Sequence, residues 1–183
     1  MRQADDGSDF LDLDDAKLLR QCQVRAYRSS GPGGQHRNKV SSAVRLKHLP
    51  TGVTVHGDQS RSQHENKRLA LRRLRMEVAC RLRNHVDSAA RDLPPAVRSC
   101  AFTARGGPAA GMRRLECGPR DARFWRVAAF LLDTMEAFQG RVAPAAEFIG
   151  ISTGNFVALL ESQRHLLAAA QAIRKNHGCK PLT

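Results

Sequence analysis

The stretch "SAVRLKHLPTGVTVHGDQSRSQHENKRLALRRLRMEV", Ser42 to Val78, changes its periodicity twice. Residues 42–48 alternate, with Ala43, Arg45 and Lys47 on one side and Val44, Leu46 and His48 on the other. That is the period of a half-buried strand. Pro50-Thr51-Gly52 supplies a turn and residues 53–56 a second short strand, so the pair reads as a β-hairpin. Ser62-Gln63-His64-Glu65 then fits the S-x-x-E capping box, in which two side chains satisfy orphan N–H groups at a helix start. A long helix is expected from there to about Asn84. Ala70, Leu71, Leu74, Val78 and Leu82 form its apolar stripe, and Arg68, Arg72, Arg73 and Arg83 fall opposite. Charges on a helix usually just face water. Here the near-absence of interleaved acids favours a polyanion as the partner of that face.

Upstream, "CQVRAY" (residues 22–27) alternates well enough for another strand, which feeds the loop "RSSGPGGQHRNK" (residues 28–39). Glycine loses more chain entropy on ordering than any other residue, so three of them around Pro32 imply a backbone that needs room or a positive φ. Gln35 and a basic run follow. The Asp-rich start, residues 1–19, shows no periodicity before about Ala16 and is expected to be mobile.

Thirty Lys and Arg against seventeen Asp and Glu give a formal net charge of +13. Such a charge says little about fold and much about partners, with phosphate polyanions first. It is also uneven: residues 1–19 hold six Asp against Arg2 and Lys17, whereas residues 20–85 hold fifteen cations against Asp58, Glu65 and Glu77. The polyanion surface is therefore expected in the first half. No apolar run is long enough to span a bilayer and no signal peptide opens the chain, so neither membrane nor secretion is expected. The five cysteines (Cys22, Cys80, Cys100, Cys117, Cys179) are scattered, with no C-x-x-C pair and no His pair at ligand spacing. They read as reduced, cytosolic and structural, and no metal site is expected.

Downstream, residues 86–119 carry Pro94-Pro95 and Gly106-Gly107 breaks without a sustained period, and read as a linker with one short strand at most. From Arg120 a helical pattern returns, with Phe124, Val127, Ala128, Leu131, Leu132 and Met135 on one face. "VAPAAEFIGISTGNFVALL" has helix-turn-helix spacing: Ala146 at the close contact, Gly150 in the turn, and Ile149, Ile151, Phe156 and Leu159 in the core. The would-be recognition helix, residues 155–162, contains no Arg or Lys, the usual donors for base reading. A small helical docking bundle is at least as good a reading, and Phe124 and Trp125 are expected in its core.

A Gly-Gly-Gln string alone is trivial. The ordered set "RSSGPGGQHRNK", "SAVRLKHLPTG" and "RSQHENK" (residues 61–67) is not. It closely resembles the peptidyl-tRNA-hydrolysing domain shared by class I peptide chain release factors and ribosome-rescue hydrolases. The resemblance covers roughly residues 20–85. It implies an α+β fold in which a small antiparallel sheet packs on the long helix, followed here by a small all-α module. It also implies that Gly33, Gly34 and Gln35 are catalytic. Arg28, His36, Arg37, Asn38, Lys39, Arg61, Gln63, Asn66, Lys67, Arg68, Arg72 and Arg73 are expected to contact RNA. The implied partners are the ribosome, through its large-subunit RNA, and peptidyl-tRNA, in the cytoplasm, with no metal and no small-molecule cofactor.

The chemistry suits that resemblance. Ester hydrolysis passes through an oxyanion, and a positioned backbone N–H is worth about 3–4 kcal/mol there. In the family the Gln amide is thought to donate to the oxyanion while its side chain places the attacking water. RNA and the tRNA hydroxyl supply the rest, which explains a loop without Asp, Glu or Cys. Neither G-x-x-x-x-G-K-[ST] nor G-x-G-x-x-G is present, so a nucleotide-phosphate loop is not indicated. His36, His48, His56 and His64 read as loop, sheet and cap residues rather than as a base or ligands. Arg37 departs from the family, which usually has a small apolar residue there. The stop-codon-reading domains of release factors and the long basic tail of small rescue hydrolases are not recognised in the sequence, so codon-independent release is the expectation. The rival is a non-catalytic RNA- or DNA-binding regulator that uses the helix-turn-helix.

Overall fold

The computed structural model describes residues 9–28, 41–89, 93–103 and 113–182. They form two compact units that divide between Val78 and Ala79.

In the first unit, β1 (Cys22–Tyr27), β2 (Ala43–His48) and β3 (Thr54–Gly57) make an antiparallel sheet in that order. Central β2 alternates as read: Val44, Leu46 and His48 are buried while Arg45 and Lys47 are exposed. Ala43 departs from the alternation and is also buried. The β2–β3 turn closes on Gly52, whose φ of +71° is left-handed and which donates to the His48 carbonyl at 2.8 Å. β1 is an edge strand, and Gln23 to Ala26 are all exposed on it.

The first helix, α1 (Asp15–Arg20), precedes β1, and the long helix, α2 (Gln63–Arg81), follows β3. α2 buries Ala70, Leu71, Leu74 and Val78, the stripe expected of it, and ends three residues before Asn84. Only half of the capping box forms. Ser62 Oγ accepts from the Glu65 N–H at 3.4 Å, but the Ser62 N–H donates to Ser60 Oγ and the Glu65 carboxylate lies 3.7 Å from Arg68. β3 approaches α2 backbone to backbone at Gly57. A Cβ built on Gly57 would lie 1.9 Å from the Asn66 carbonyl oxygen, which excludes any other residue without a shift.

The Asp-rich start is part of this fold from Asp9 onward, contrary to the mobile segment expected for residues 1–19. Phe10, Leu11 and Leu18 are buried in a 3₁₀ turn (Phe10–Asp12) and in α1. Two of the aspartates act as caps rather than as free charges: Asp9 accepts from the Leu11 N–H at 2.9 Å and Asp14 from the Lys17 N–H at 2.7 Å. Arg75 of α2 ties the segment down, donating to the Leu13 carbonyl and to Asp15, both at 2.8 Å.

The second unit contains α3 (Pro95–Ser99), the hairpin β4 (Ala101–Thr103) and β5 (Arg113–Leu115), α4 (Phe124–Ala137), α5 (Val142–Ile149), α6 (Thr153–Glu161) and α7 (Arg164–Asn176). The described part of residues 86–119 is therefore not a linker. Val97, Cys100, Leu115 and Cys117 are buried in the same core as Phe124, Met135, Ile149 and Phe156. The first break was misleading because Pro95 opens a helix, a place where a missing N–H costs nothing. No single helix among the described residues is long and apolar enough to cross a membrane.

Candidate nucleic-acid interface

The glycine-rich segment joins β1 to β2, and the strands fix its ends. Tyr27 and Ala43 are directly paired, so the chain leaves and re-enters the sheet at opposed positions. Gly33, Gly34, Gln35, His36, Arg37, Asn38 and Lys39 lie outside the described residues. Arg28, the first residue after β1, is exposed.

The far end of this base is held by Asn66. Its side-chain amide donates to the Ser42 carbonyl at 2.8 Å and to the Ser60 carbonyl at 2.7 Å, and its Oδ1 accepts from the Ser60 N–H at 2.8 Å. Asn66 is fully buried, which corrects the expectation that it contacts RNA. All three of its bonds run inward, joining the first turn of α2 to the β3–α2 loop and to the entrance of β2. It fixes the entrance of β2 against the first turn of α2.

Around that latch the other expected residues fan outward. Arg61, Gln63, Arg68 and Arg72 are exposed, and Lys67 is half-buried. Arg73 is partly committed, donating to the His56 carbonyl and lying 3.6 Å from Asp58. Along the first half of α2, Arg61, Gln63, Lys67, Arg68 and Arg72 thus remain at least partly accessible, with Arg68 3.7 Å from Glu65, whereas Asn66 is buried.

Among the described residues of this unit, His48 and Cys22 are the strongly perturbed titratable groups, with burial pushing the Cys22 thiol up to about 11. The buried His48 ring stands nearly perpendicular to that of Phe10, 4.7 Å between centroids, and burial lowers its pKa to about 4. Gln21 Oε1, 3.1 Å from Nε2, can only accept, so Nε2 carries the proton and Nδ1 accepts from the Thr51 hydroxyl at 2.8 Å. The neutral ring is satisfied and structural, as the sequence suggested.

In the second unit the helix-turn-helix spacing is realised. Gly150 caps α5 with φ +79°, α5 and α6 meet at 102°, and Ser152 caps α6 by accepting from the Asn155 N–H. Asn155, however, is spent on β5: it accepts from the Leu115 N–H at 2.8 Å and donates to the Leu115 carbonyl at 3.1 Å. The start of the would-be recognition helix serves as a sheet neighbour, and α6 carries no Arg or Lys. That disfavours base reading.

The structure also brings together three groups that sequence distance hid. The Cys100 and Cys117 thiols and an Asp121 oxygen lie within 4.8 Å of one another. They suit a cation poorly. Burial, then the hydrogen bond to Cys100, pushes the Cys117 thiol up to about 12, whereas a metal needs thiolate. Asp121 is already held by Arg123 at 2.6 Å, which keeps its carboxyl down near 2.

Residues 15–97 match the family model of the RF-1 domain. Peptide chain release factor 2 of Buchnera aphidicola subsp. Baizongia pistaciae is 48% identical over 70 residues, 36% of this chain and 19% of that protein. Peptide chain release factor 1 of Xylella fastidiosa is 50% identical over 56 residues, 31% of this chain and 16% of that protein. Peptide chain release factor 1 of Limosilactobacillus reuteri is 52% identical over 69 residues, 37% and 18% respectively. The chain thus spans less than a fifth of the length of these relatives. Over the matched part, its α+β sheet-and-helix unit is similar to the RF-1 domain and to the corresponding part of these class I peptide chain release factors.

Proposed function

We propose that the protein hydrolyses the ester of peptidyl-tRNA on the ribosome and does so without reading a stop codon, as in ribosome rescue. The observation that carries this reading is an intact Gly33-Gly34-Gln35 string between two paired strands, in a stretch matching the RF-1 domain. In this reading the glycines clear space for RNA, the Gln35 N–H stabilises the oxyanion and the Gln35 side chain positions water. Arg28, His36, Arg37, Asn38 and Lys39 in the loop would grip large-subunit RNA, with Arg61, Gln63, Lys67, Arg68, Arg72 and Arg73 around the start of α2. The setting would be the cytoplasm. Codon independence draws on what accompanies the matched part: a helical unit whose exposed α6 face, Thr153, Gly154, Ala158 and Glu161, offers no cation for reading bases.

The test is peptide release from ribosomes carrying no codon, a sense codon or a stop codon in the A site. Comparable rates on all three are expected. Gln35→Ala should slow release by removing the side chain that places water, and Gln35→Pro, which also removes the backbone N–H, should cut it about a hundred- to a thousandfold, the worth of one oxyanion donor, with ribosome affinity nearly unchanged in both. Release confined to stop codons would end the rescue reading, and an undiminished rate in both variants would end the catalytic one.

A further inference from the structure

The outer face of the β1–β2–β3 sheet carries a charge pattern that folding alone does not explain. Pairing places Arg25 directly opposite Arg45, and Arg45 directly opposite His56, so a row of basic side chains crosses all three strands. The next row on the same face is Gln23, Lys47 and Thr54. Like charges directly opposed on a sheet are destabilising. Among the described residues no carboxylate forms an ion pair with Arg25, Arg45 or Lys47; the nearby Asp58 is engaged by Arg73. All three cations are exposed.

The face is also shaped. Gln23, Arg25, Arg45, Lys47, Gly52 and Thr54 line a depression of about 460 Å³. A neighbouring hollow of about 240 Å³ lies over Arg25, Ala26, Tyr27, Arg45 and His56. Its wall is fixed, because the Tyr27 hydroxyl is 3.2 Å from His56 Nδ1 and the two rings meet edge-on at 5.7 Å. Along β2, Arg45 and Lys47 stand about 6.6–6.8 Å apart, a spacing on the scale of successive phosphates in a nucleic-acid strand.

We propose that this outer sheet face is a second RNA-binding surface, holding a sugar-phosphate backbone on Arg25, Arg45 and Lys47, with the Tyr27–His56 pair as a rigid wall. It is distinct from the loop and from the α2 surface, and it rests on the reading that RNA is the partner. The backbone's regular negative charge relieves the opposed cations, a role that no side chain of the described residues fills. Contacts of this kind position the protein and carry no sequence preference.

The test uses the full chain and a fluorescently labelled RNA hairpin, with affinity measured across a series of KCl concentrations. Each phosphate contact contributes about 0.7–0.9 to the slope of log affinity against log salt. Arg25→Gln/Arg45→Gln/Lys47→Gln should lower that slope by about 2–3, and Arg45→Gln alone by about 0.7–0.9. Both variants should melt no lower than the parent, because the replaced groups are exposed and repel one another. An unchanged slope in folded variants overturns the proposal. So does an unchanged RNA slope with lost binding to phosphatidylserine vesicles, which would assign the face to a membrane. Peptide release is scored separately. A chain that releases no peptide yet shows the slope change keeps this surface and loses the hydrolase reading; the converse keeps the hydrolase and loses the surface.

Discussion

At the scale of single residues, two buried polar groups hold the first unit together, and both can be tested. Asn66→Ala would leave the Ser60 N–H and the Ser42 and Ser60 carbonyls without the partner they now have. Orphaned backbone groups of this kind cost about 1–3 kcal/mol each when they stay buried, so a loss of about 2–4 kcal/mol is expected in denaturant unfolding. Asn66→Asp should be as harmful at neutral pH, since a carboxylate would face two carbonyl oxygens, and should recover partly once it protonates. Because Asn66 is buried and bonds the entrance of β2, where the chain returns from the glycine-rich segment, the Ala variant is expected to release peptide more slowly, on the proposed function, while its RNA salt slope stays parental. A reduced slope would instead return Asn66 to the RNA-contacting set. His48 makes a pH-dependent contribution whose sign follows from its depressed pKa. Between about 4, its folded value, and 6.5, its ordinary one, the unfolded chain binds more protons than the folded chain. Stability therefore rises with pH across that window, is fully present above it, and is lost on acidification towards pH 4. The swing is about 3.4 kcal/mol, at 1.36 kcal/mol per pKa unit. His48→Gln should flatten that part of the stability–pH curve, and an equally steep curve in the variant would refute the assignment.

At the scale of elements, what could be read depended on whether an element was long enough to show its period. β2 and α2 were legible, since Val44, Leu46 and His48, and then Ala70, Leu71, Leu74 and Val78, repeat over several turns of the pattern and are all buried. Asn66 was misread as an outward-facing motif residue, although it stands four residues before Ala70 and so lies on the apolar stripe; that offset was the available signal. α3, β4 and β5 run only three to five residues each and show no period at all. Phe10 and Leu11 were hidden among aspartates, two of which turned out to be caps. The glycine-rich loop was legible as a candidate site only through its resemblance to a family. The prediction at this scale concerns α2. Arg68 and Arg72 are exposed, while Arg73 is partly committed to Asp58 and the His56 carbonyl. Replacing all three with Gln should flatten the salt dependence of ribosomal RNA binding by less than three full contacts, about 1.5–2.5 in slope. No change in slope would mean that this face meets only water.

At the scale of the whole molecule, the sequence suggested a boundary near residue 85, where the basic helix pattern gives out. The structure divides the chain earlier, between Val78 and Ala79, although α2 continues to Arg81. The physical reason is Asp133, a buried carboxylate on α4. Arg83 lies 3.2 Å from it, and the Asn84 N–H donates to the same oxygen at 3.0 Å. Ala79 is fully buried, and the Cys80 thiol faces the His165 carbonyl at 3.7 Å. Residues 79–84 thus belong to the helical unit even though their sequence continues the basic helix. Two fragments distinguish these boundaries. One beginning at Ala79 should fold with the helical content of the second unit, whereas one beginning at Val86 would bury Asp133 without Arg83 and Asn84. Removing one partner from a buried ion pair costs about 3–5 kcal/mol, much of the 5–15 kcal/mol that stabilises an ordinary domain. The shorter fragment should therefore melt lower than the longer one, and Asp133→Asn should narrow the gap by removing the charge that Arg83 offsets. Equal melting temperatures for the two fragments would show that Arg83 and Asn84 contribute nothing to the helical unit, and that its boundary lies where the basic pattern ends.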